Sequence, residues 1–105
     1  CYCIGGFNYF GDHAAAIRGM RRVTRPGGAI VVADEATWLH RCGIGHLIGL
    51  PRVDAAWLRL LGLDRDFVDM VLALRLDLRS LFPAEAGWRR SSIWRGLGYC
   101  VVGRA

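Results

Sequence analysis

The sequence feature that most constrains the fold is a run of five apolar residues at positions 29–33, directly after a Pro-Gly-Gly turn at 26–28. A strand that is apolar at every position is typical of a parallel strand covered on both faces. Residues 1–4 form a second apolar run, and between the two runs Asp12 can cap a helix that extends to about Arg25. Two buried strands joined by a helix predict a parallel βαβ unit.

The middle of the sequence has the pattern of helices. Glycines interrupt residues 38–50, which favours short helical pieces and turns over one long helix. Farther along, Asp54 can cap a helix over 54–61, and another helix can begin at Asp64 or Asp66. The βαβ unit is therefore followed by a helical segment.

Residues 72–79 are compatible with either a helix or a strand. The helical spacing of apolar residues before this segment changes there to the strict alternation that is typical of a strand. We predict that the helix continues to about Ala73, and a strand over 74–79 stays open as the alternative. Residues 81–92 predict a loop. Residues 93–103 predict a closing strand, with glycines that allow a bend or a bulge.

The amino-acid composition predicts that part of the chain's apolar surface stays exposed to solvent. Hydrophobic residues make up 53% of the 105 residues, before the 14 glycines are counted. An ordinary domain has about 45–50% with glycine included, and a small domain leaves much of its surface exposed. We therefore expect exposed apolar surface and self-association through it. The apolar start of the sequence adds the expectation that residues 1–105 are the C-terminal portion of something longer.

Charge and cysteine usage exclude several classes of protein. The net charge is +5 and all fourteen basic residues are arginine, but they are scattered, whereas a nucleic-acid module concentrates charge on one face. The four cysteines form no CxxC pair and no zinc spacing with histidine. No apolar run reaches the roughly 18 residues of a membrane span. We predict a cytoplasmic protein without nucleic-acid, membrane or metal partners.

Three segments resemble a known enzyme family. Residues 22–34, Arg-Val-Thr-Arg-Pro-Gly-Gly followed by the apolar run and an aspartate, resemble the RVLRPGG stretch of class I S-adenosylmethionine (SAM)-dependent methyltransferases, which leads into that family's fifth strand. Residues 5–12 resemble the loop that leaves its fourth strand. Residues 98–104 resemble its last, antiparallel strand. The resemblance thus covers both ends of the chain.

The resemblance implies an α/β fold with a partial Rossmann-like open sheet, in which the βαβ unit is followed by the helical segment and a closing antiparallel strand. Family members hold SAM with a glycine-rich loop after their first strand and an acidic residue that ends the second. Neither feature occurs in residues 1–105. The chain is therefore interpreted as the C-terminal portion of a methyltransferase domain whose cofactor-binding N-terminal half is absent.

The function that this interpretation implies is transfer of a methyl group from SAM to a small-molecule acceptor, with the isolated chain inactive. Two alternatives stay open, since a fold does not fix a chemistry. One is a non-enzymatic α/β interaction module, and the other is half of another Rossmann-like enzyme, such as a dehydrogenase.

Candidate site residues follow from the rule that open α/β sheets bind ligands outside the carboxyl ends of their strands. Glu35 follows the buried strand and is a candidate catalytic residue, or else a cap for the next helix. The resemblance assigns Gly5 and Gly6 to the methionyl part of the cofactor, although both glycines also suit an ordinary strand exit. Asn8 and Tyr9 can orient the acceptor, or belong to a loop that packs on itself.

Two further residues come from the glycine-interrupted region. His46 is a second candidate catalytic residue because the glycines beside it permit close approach, although lone histidines are more often surface or core residues. Trp38 can wall an acceptor pocket near Glu35, or be part of the core.

Overall fold

The computed structural model describes residues 1–38 and 48–105, and within these ranges the chain forms two compact units. The first unit consists of Cys1–Ala36 and Leu76–Ala105, and the second of Thr37–Arg75. The first unit is mixed α/β and contains the whole of the described sheet. The described part of the second unit is helical.

Four strands form an open sheet. They are Tyr2–Ile4 (β1), Ala29–Glu35 (β2), Arg89–Ile93 (β3) and Gly98–Arg104 (β4), in the order β1-β2-β4-β3. β1 runs parallel to β2, and β4 pairs antiparallel with both β2 and β3. β3 consequently points in the same direction as β1 and β2. Within the described sheet, β4 alone runs in the opposite direction.

Helix α1 (His13–Val23) connects the two parallel strands, as the sequence predicts. Its N-terminus is capped by Asp12, whose Oδ1 accepts a hydrogen bond from the Ala15 amide at 2.8 Å. After the helix, Gly27 has a φ of +74°. A Cβ on Gly28 would lie 2.8 Å from the Arg25 carbonyl oxygen. The turn thus requires glycine at both positions.

The core lies on one face of the sheet, which we call the covered face. Strand residues Ile30, Val32 and Val101 are fully buried there, and they pack with α1 and with residues from the loops. The rings of Phe82 and Trp88 meet edge to face, with their centroids 4.9 Å apart. Trp88 lies over Gly103 of β4 and occupies the space that a side chain would need.

The opposite face, which we call the second face, carries Val31, Ala33 and Val102, because successive strand residues alternate. At β1 this face is open, since Tyr2 is 77% exposed and Ile4 is 65% exposed. The predicted strand over 1–4 is confirmed as β1, but its predicted burial is wrong. A four-residue apolar run has the same pattern in a buried strand and in an edge strand, and only pairing distinguishes them.

Within residues 48–75, the second unit forms helices α2 (Pro51–Leu60) and α3 (Arg65–Ala73). α2 begins at Pro51, a residue type suited to a first helical position. Asp54 is consequently a buried first-turn residue and not the predicted cap. Asp64 caps α3 through the Asp66 amide, which confirms one of the two predicted starts.

The alternating segment after α3 is not a strand. α3 ends at Ala73, as predicted, and a one-turn helix α4 (Leu78–Leu81) follows in the first unit. Asp77 caps α4 by accepting from the Arg79 amide. The alternating pattern arises because apolar side chains of this segment are turned toward the core and the polar ones toward solvent. Leu76, Leu78 and Leu81 pack against the core, and the polar residues between them are exposed.

Two predictions near the closing strand need correction. Residues 89–93 form β3 and not a loop, although Arg-Arg-Ser-Ser carries no apolar alternation. An edge strand is held by backbone pairing with one neighbour and therefore needs no apolar face. The closing strand begins only at Gly98, because residues 94–96 form a tight turn in which Trp94 and Arg95 have positive φ.

Candidate functional site

The candidate site lies where the parallel strands β1 and β2 end. Gly5 and Gly6 leave β1 with φ values of +71° and +89°, and the Gly5 amide donates to the Ala33 carbonyl at 2.9 Å. A single 3-10 turn, Phe7–Tyr9, follows. Phe7 is fully buried and anchors this turn in the core. The loop is thus held over the carboxyl end of β2.

A buried cluster of Asn8, Asp34 and Tyr99 fixes that position on the covered face. Asp34 accepts from the Asn8 amide through Oδ2 and from the Glu35 amide through Oδ1, each at 2.9 Å. The Tyr99 hydroxyl donates to Asn8 Oδ1 at 2.9 Å. Asn8 is 1% exposed and Asp34 is 4% exposed. Buried polar groups that are satisfied in this way make a local geometry rigid.

The tip pair of Tyr9 and Glu35 lies beside the buried cluster and is partly exposed. The Tyr9 hydroxyl donates to Glu35 Oε1 at 2.6 Å, and the Asn8 side-chain amide donates to the Glu35 carbonyl at 2.9 Å. Burial, followed by the bonded Glu35 carboxylate, raises the pKa of Tyr9 above its ordinary value. At neutral pH the phenol therefore keeps its proton and donates a hydrogen bond to the carboxylate.

Tyr99 is in a similar state for a related reason. Its pKa is also raised, first by burial and then by the negative charge of Asp34. The protonated hydroxyl is the form that donates to Asn8. Ionisation of Tyr99 would therefore break the buried cluster.

Trp94 packs on Gly98, the residue that pairs with Glu35 in the sheet. Gly98 is the β4 partner of Glu35. The indole of Trp94 lies against Gly98, with ring carbon Cε3 only 2.5 Å from where a Cβ would be. Trp94 is nevertheless 59% exposed. The carboxylate and phenol of the tip pair thus lie at the end of β2, and the indole of Trp94 covers the neighbouring strand position Gly98.

The predicted site residues have different outcomes. The structure brings Glu35, Asn8 and Tyr9 together, and Gly5 and Gly6 lie at the start of the same loop. Trp38 is 48% exposed and belongs to the second unit. His46 lies outside the described residues, so its catalytic role stays a prediction.

Sequence reasoning missed the residues that come from the far end of the chain. Tyr99 and Trp94 join the site through β4 and the turn before it, and Tyr99 bonds to a residue 91 positions away. The sequence did contain one signal, because Gly96 and Gly98 predicted a bend. It gave no indication that the bend turns an indole onto Gly98.

The described ranges contain neither a metal centre nor a membrane span. Across residues 1–38 and 48–105, no three His, Cys, Asp or Glu residues are grouped to hold a metal ion. No helix in these ranges is both long and apolar enough to cross a bilayer. The sequence matches no protein-family model, and neither a curated protein nor a solved structure is detectably similar to the chain.

Proposed function

We propose that the chain is the acceptor-side half of a Rossmann-like, SAM-dependent methyltransferase domain, which transfers a methyl group to a small molecule. One observation carries the proposal. The tip pair and the buried cluster lie at the carboxyl ends of parallel strands β1 and β2, where open α/β sheets bind their ligands. The antiparallel direction of β4 agrees with the closing strand of the resembling family.

In this function the tip pair handles the acceptor. Glu35 accepts the proton that the acceptor atom releases as it attacks the methyl carbon, and Tyr9 holds the carboxylate in place through its 2.6 Å hydrogen bond. Asn8 is a positioning residue, because its side chain bonds to the Glu35 carbonyl and its backbone to Asp34. Most of the rate enhancement in such a displacement comes from orientation of the reactants.

The described residues fit only one part of the cofactor. A Cβ on Gly5 or Gly6 would meet nothing within 4 Å, so the backbone beside β1 is open to a ligand. A glycine-rich loop and a carboxylate for the ribose hydroxyls do not occur in the sequence. SAM supplies the activated methyl group when it is bound, and the 105 residues alone should bind it weakly.

A second candidate function is a docking module, because Tyr2 and Ile4 leave β1 with an exposed apolar surface. A module of this kind would associate in a concentration-dependent way without any affinity for SAM. It would use β1 and the second face, and the tip pair would be structural.

Calorimetric titration separates these functions. We expect SAM to show no micromolar affinity for the 105-residue chain, and to bind at micromolar concentration once the chain is joined to the segment encoded ahead of Cys1. That segment is expected to contain a strand followed by a glycine-rich turn. Micromolar SAM binding by the 105 residues would contradict the proposed division of the domain. Selective binding of a nicotinamide dinucleotide by the longer protein would support the dehydrogenase alternative.

A further inference from the structure

Helix α2 carries an apolar stripe that is open to solvent. Its members follow the spacing i, i+3, i+4, i+7, which places Val53, Ala56, Trp57 and Leu60 along one side of the helix. The same four residues and Arg52 line a shallow groove of about 500 Å³. Trp57 is 57% exposed and Leu60 is 78% exposed. This spacing is typical of a helix that packs against another apolar surface.

An ion pair indicates that α3 carries its exposed apolar residues on the same side of the helix pair. Arg59 of α2 and Asp69 of α3 form this ion pair at 3.3 Å. Trp57 and Phe67 each lie two positions before one member of it. Since an α-helix has 3.6 residues per turn, two positions correspond to about 160° around the axis. Trp57 and Phe67 therefore both lie on the side of the hairpin opposite the ion pair.

The apolar surface that results extends over both helices. Leu60 and Met70 lie on its two flanks, and Leu61 directly follows α2 between them. Their exposed fractions range from 40 to 78%. We call this surface the hairpin face, and it consists of Trp57, Leu60, Leu61, Phe67 and Met70.

The α2–α3 hairpin buries few apolar side chains of its own. Among the residues of 48–75 whose burial is described, Val68 is the one buried hydrophobic residue. The helices have 10 and 9 residues. Isolated helices shorter than about 12–15 residues are marginal in water, and most helices are stabilised by packing of an apolar face. The hairpin face is the apolar surface that such packing would use.

The area of the hairpin face fits a pair of copies. A large side chain has roughly 150–250 Å² of surface, so the five exposed fractions leave on the order of 500 Å² of apolar surface per copy. Two such faces in contact would bury about 1,000 Å² in these side chains alone, which is the size at which specific interfaces begin. An apolar patch of this size is also near the upper limit for a monomer.

We propose that the hairpin face is a homodimer interface, in which the α2–α3 hairpins of two copies pack across a two-fold axis as four helices. The same surface serves both copies, so the stripe on α2 meets its own counterpart. Charge favours an antiparallel arrangement of the two α2 helices. A parallel pair would place the two exposed Arg52 side chains together, whereas an antiparallel pair brings Arg52 toward the partner's Asp64 and the partner's Asp66. The interface does not depend on the proposed function.

Sedimentation equilibrium of the 105-residue chain tests the dimer. We expect a reversible monomer–dimer equilibrium with a dissociation constant of about 10–100 μM, which suits an interface near the lower size limit. Leu60→Glu should weaken the dimer at least tenfold, because two carboxylates then lose water in an apolar interface. Glu is nearly as good a helix former as Leu, and circular dichroism checks that the fold is retained. Ile4→Glu is the matched control at another exposed apolar residue, in β1, and should leave the dissociation constant unchanged.

A charge exchange tests the antiparallel arrangement. Arg52→Glu should weaken the dimer about threefold, and addition of Asp66→Arg in the same chain should restore it. A parallel pair predicts no such rescue. Isotope-filtered NOEs in an equimolar mixture of ¹³C-labelled and unlabelled chains give a test without any variant, because contacts from the Trp57 ring to leucine methyl groups of the other copy should be observed.

Three results would overturn the proposal: a monomer at 500 μM chain, a dimer that Leu60→Glu leaves intact, or a dimer that Ile4→Glu weakens as much as Leu60→Glu does. The last two would place association at another surface, such as β1. The outcome is separate from that of the methyltransferase proposal, because no SAM is present. A longer protein that dimerises through the hairpin face and never binds SAM would retain the interface and remove the methyltransferase.

Discussion

Asp34 and Glu35 are neighbouring carboxylates at the end of one strand, yet their surroundings differ on every count. Asp34 faces the core, is 4% exposed and accepts two backbone amides. Glu35 points to the second face, is partly exposed and accepts from a phenol. A strand turns successive side chains to opposite faces, so one step along the chain separates a buried carboxylate from a partly exposed one. The following predictions test that division.

Asp34→Asn should produce the largest loss of stability, about 2–3 kcal/mol. The amide replaces one acceptor oxygen by an NH₂ group, which then faces a buried backbone N–H that has lost its partner. Urea unfolding followed by circular dichroism measures the loss. Asp69→Asn is the control, because that carboxylate is more than half exposed and should change stability by less than about 0.5 kcal/mol. Equal effects at the two positions would contradict the structural role of Asp34.

Tyr99→Phe should cost about 1–2 kcal/mol, since it leaves the buried Asn8 Oδ1 without the hydroxyl that donates to it. The ring itself is retained, so packing in the core changes little. Tyr2→Phe removes the same atom from a residue that is 77% exposed, and it should be close to neutral. If the two variants unfold at the same urea concentration, the buried cluster does not stabilise the tip of β2.

Alkaline pH should destabilise the protein through the same hydroxyl. Folding raises the pKa of Tyr99 above its ordinary value of 10.0, so the folded state retains a proton that the unfolded state has lost. Its contribution is complete below pH 10 and decreases as the pH rises further, by at most about 1.4 kcal/mol per pH unit. Unfolding of the unaltered chain and of Tyr99→Phe between pH 8 and 11 isolates this contribution. A constant difference across that range would contradict the prediction.

Glu35→Gln should have the smallest effect on stability, within about 0.5 kcal/mol. The amide oxygen can still accept from Tyr9, and the side chain is partly exposed, so the substitution disturbs no fully buried hydrogen bond among those described here. This substitution is chemically the same as Asp34→Asn at the adjacent position. A loss as large as that of Asp34→Asn would show that Glu35 serves the fold, and the division between the two carboxylates would fail.

The sequence was informative wherever a local pattern determines the structure. Asp12 before an apolar helical face, and Pro-Gly-Gly before a uniformly apolar run, gave the βαβ unit and hence the positions of Glu35 and Tyr9. Capping and turn geometry depend on residues a few positions apart, and a single sequence displays them directly.

The parts that sequence reasoning missed depend on distant pairing. β3 was missed because it is held by its pairing with β4 and shows no apolar period. The exposure of β1 was missed because nothing local in the sequence distinguishes an edge strand from a buried one. Tyr99 reaches Asn8 only after β4 has paired with β2. Such contacts are set by the topology of the sheet, which local periodicity does not encode.

The position of β4 between β2 and β3 has a consequence for the order of folding. Its pairing with β2 joins Ala29 to Arg104, 75 positions later, whereas the helices of the second unit need only neighbouring residues. Proteins whose central contacts are distant in sequence fold slowly, because the entropy of closing the long loop is lost before the contact stabilises it. Until that closure, Ile30 and Val32 lack their central neighbour, and the half-formed sheet is the species most prone to aggregate.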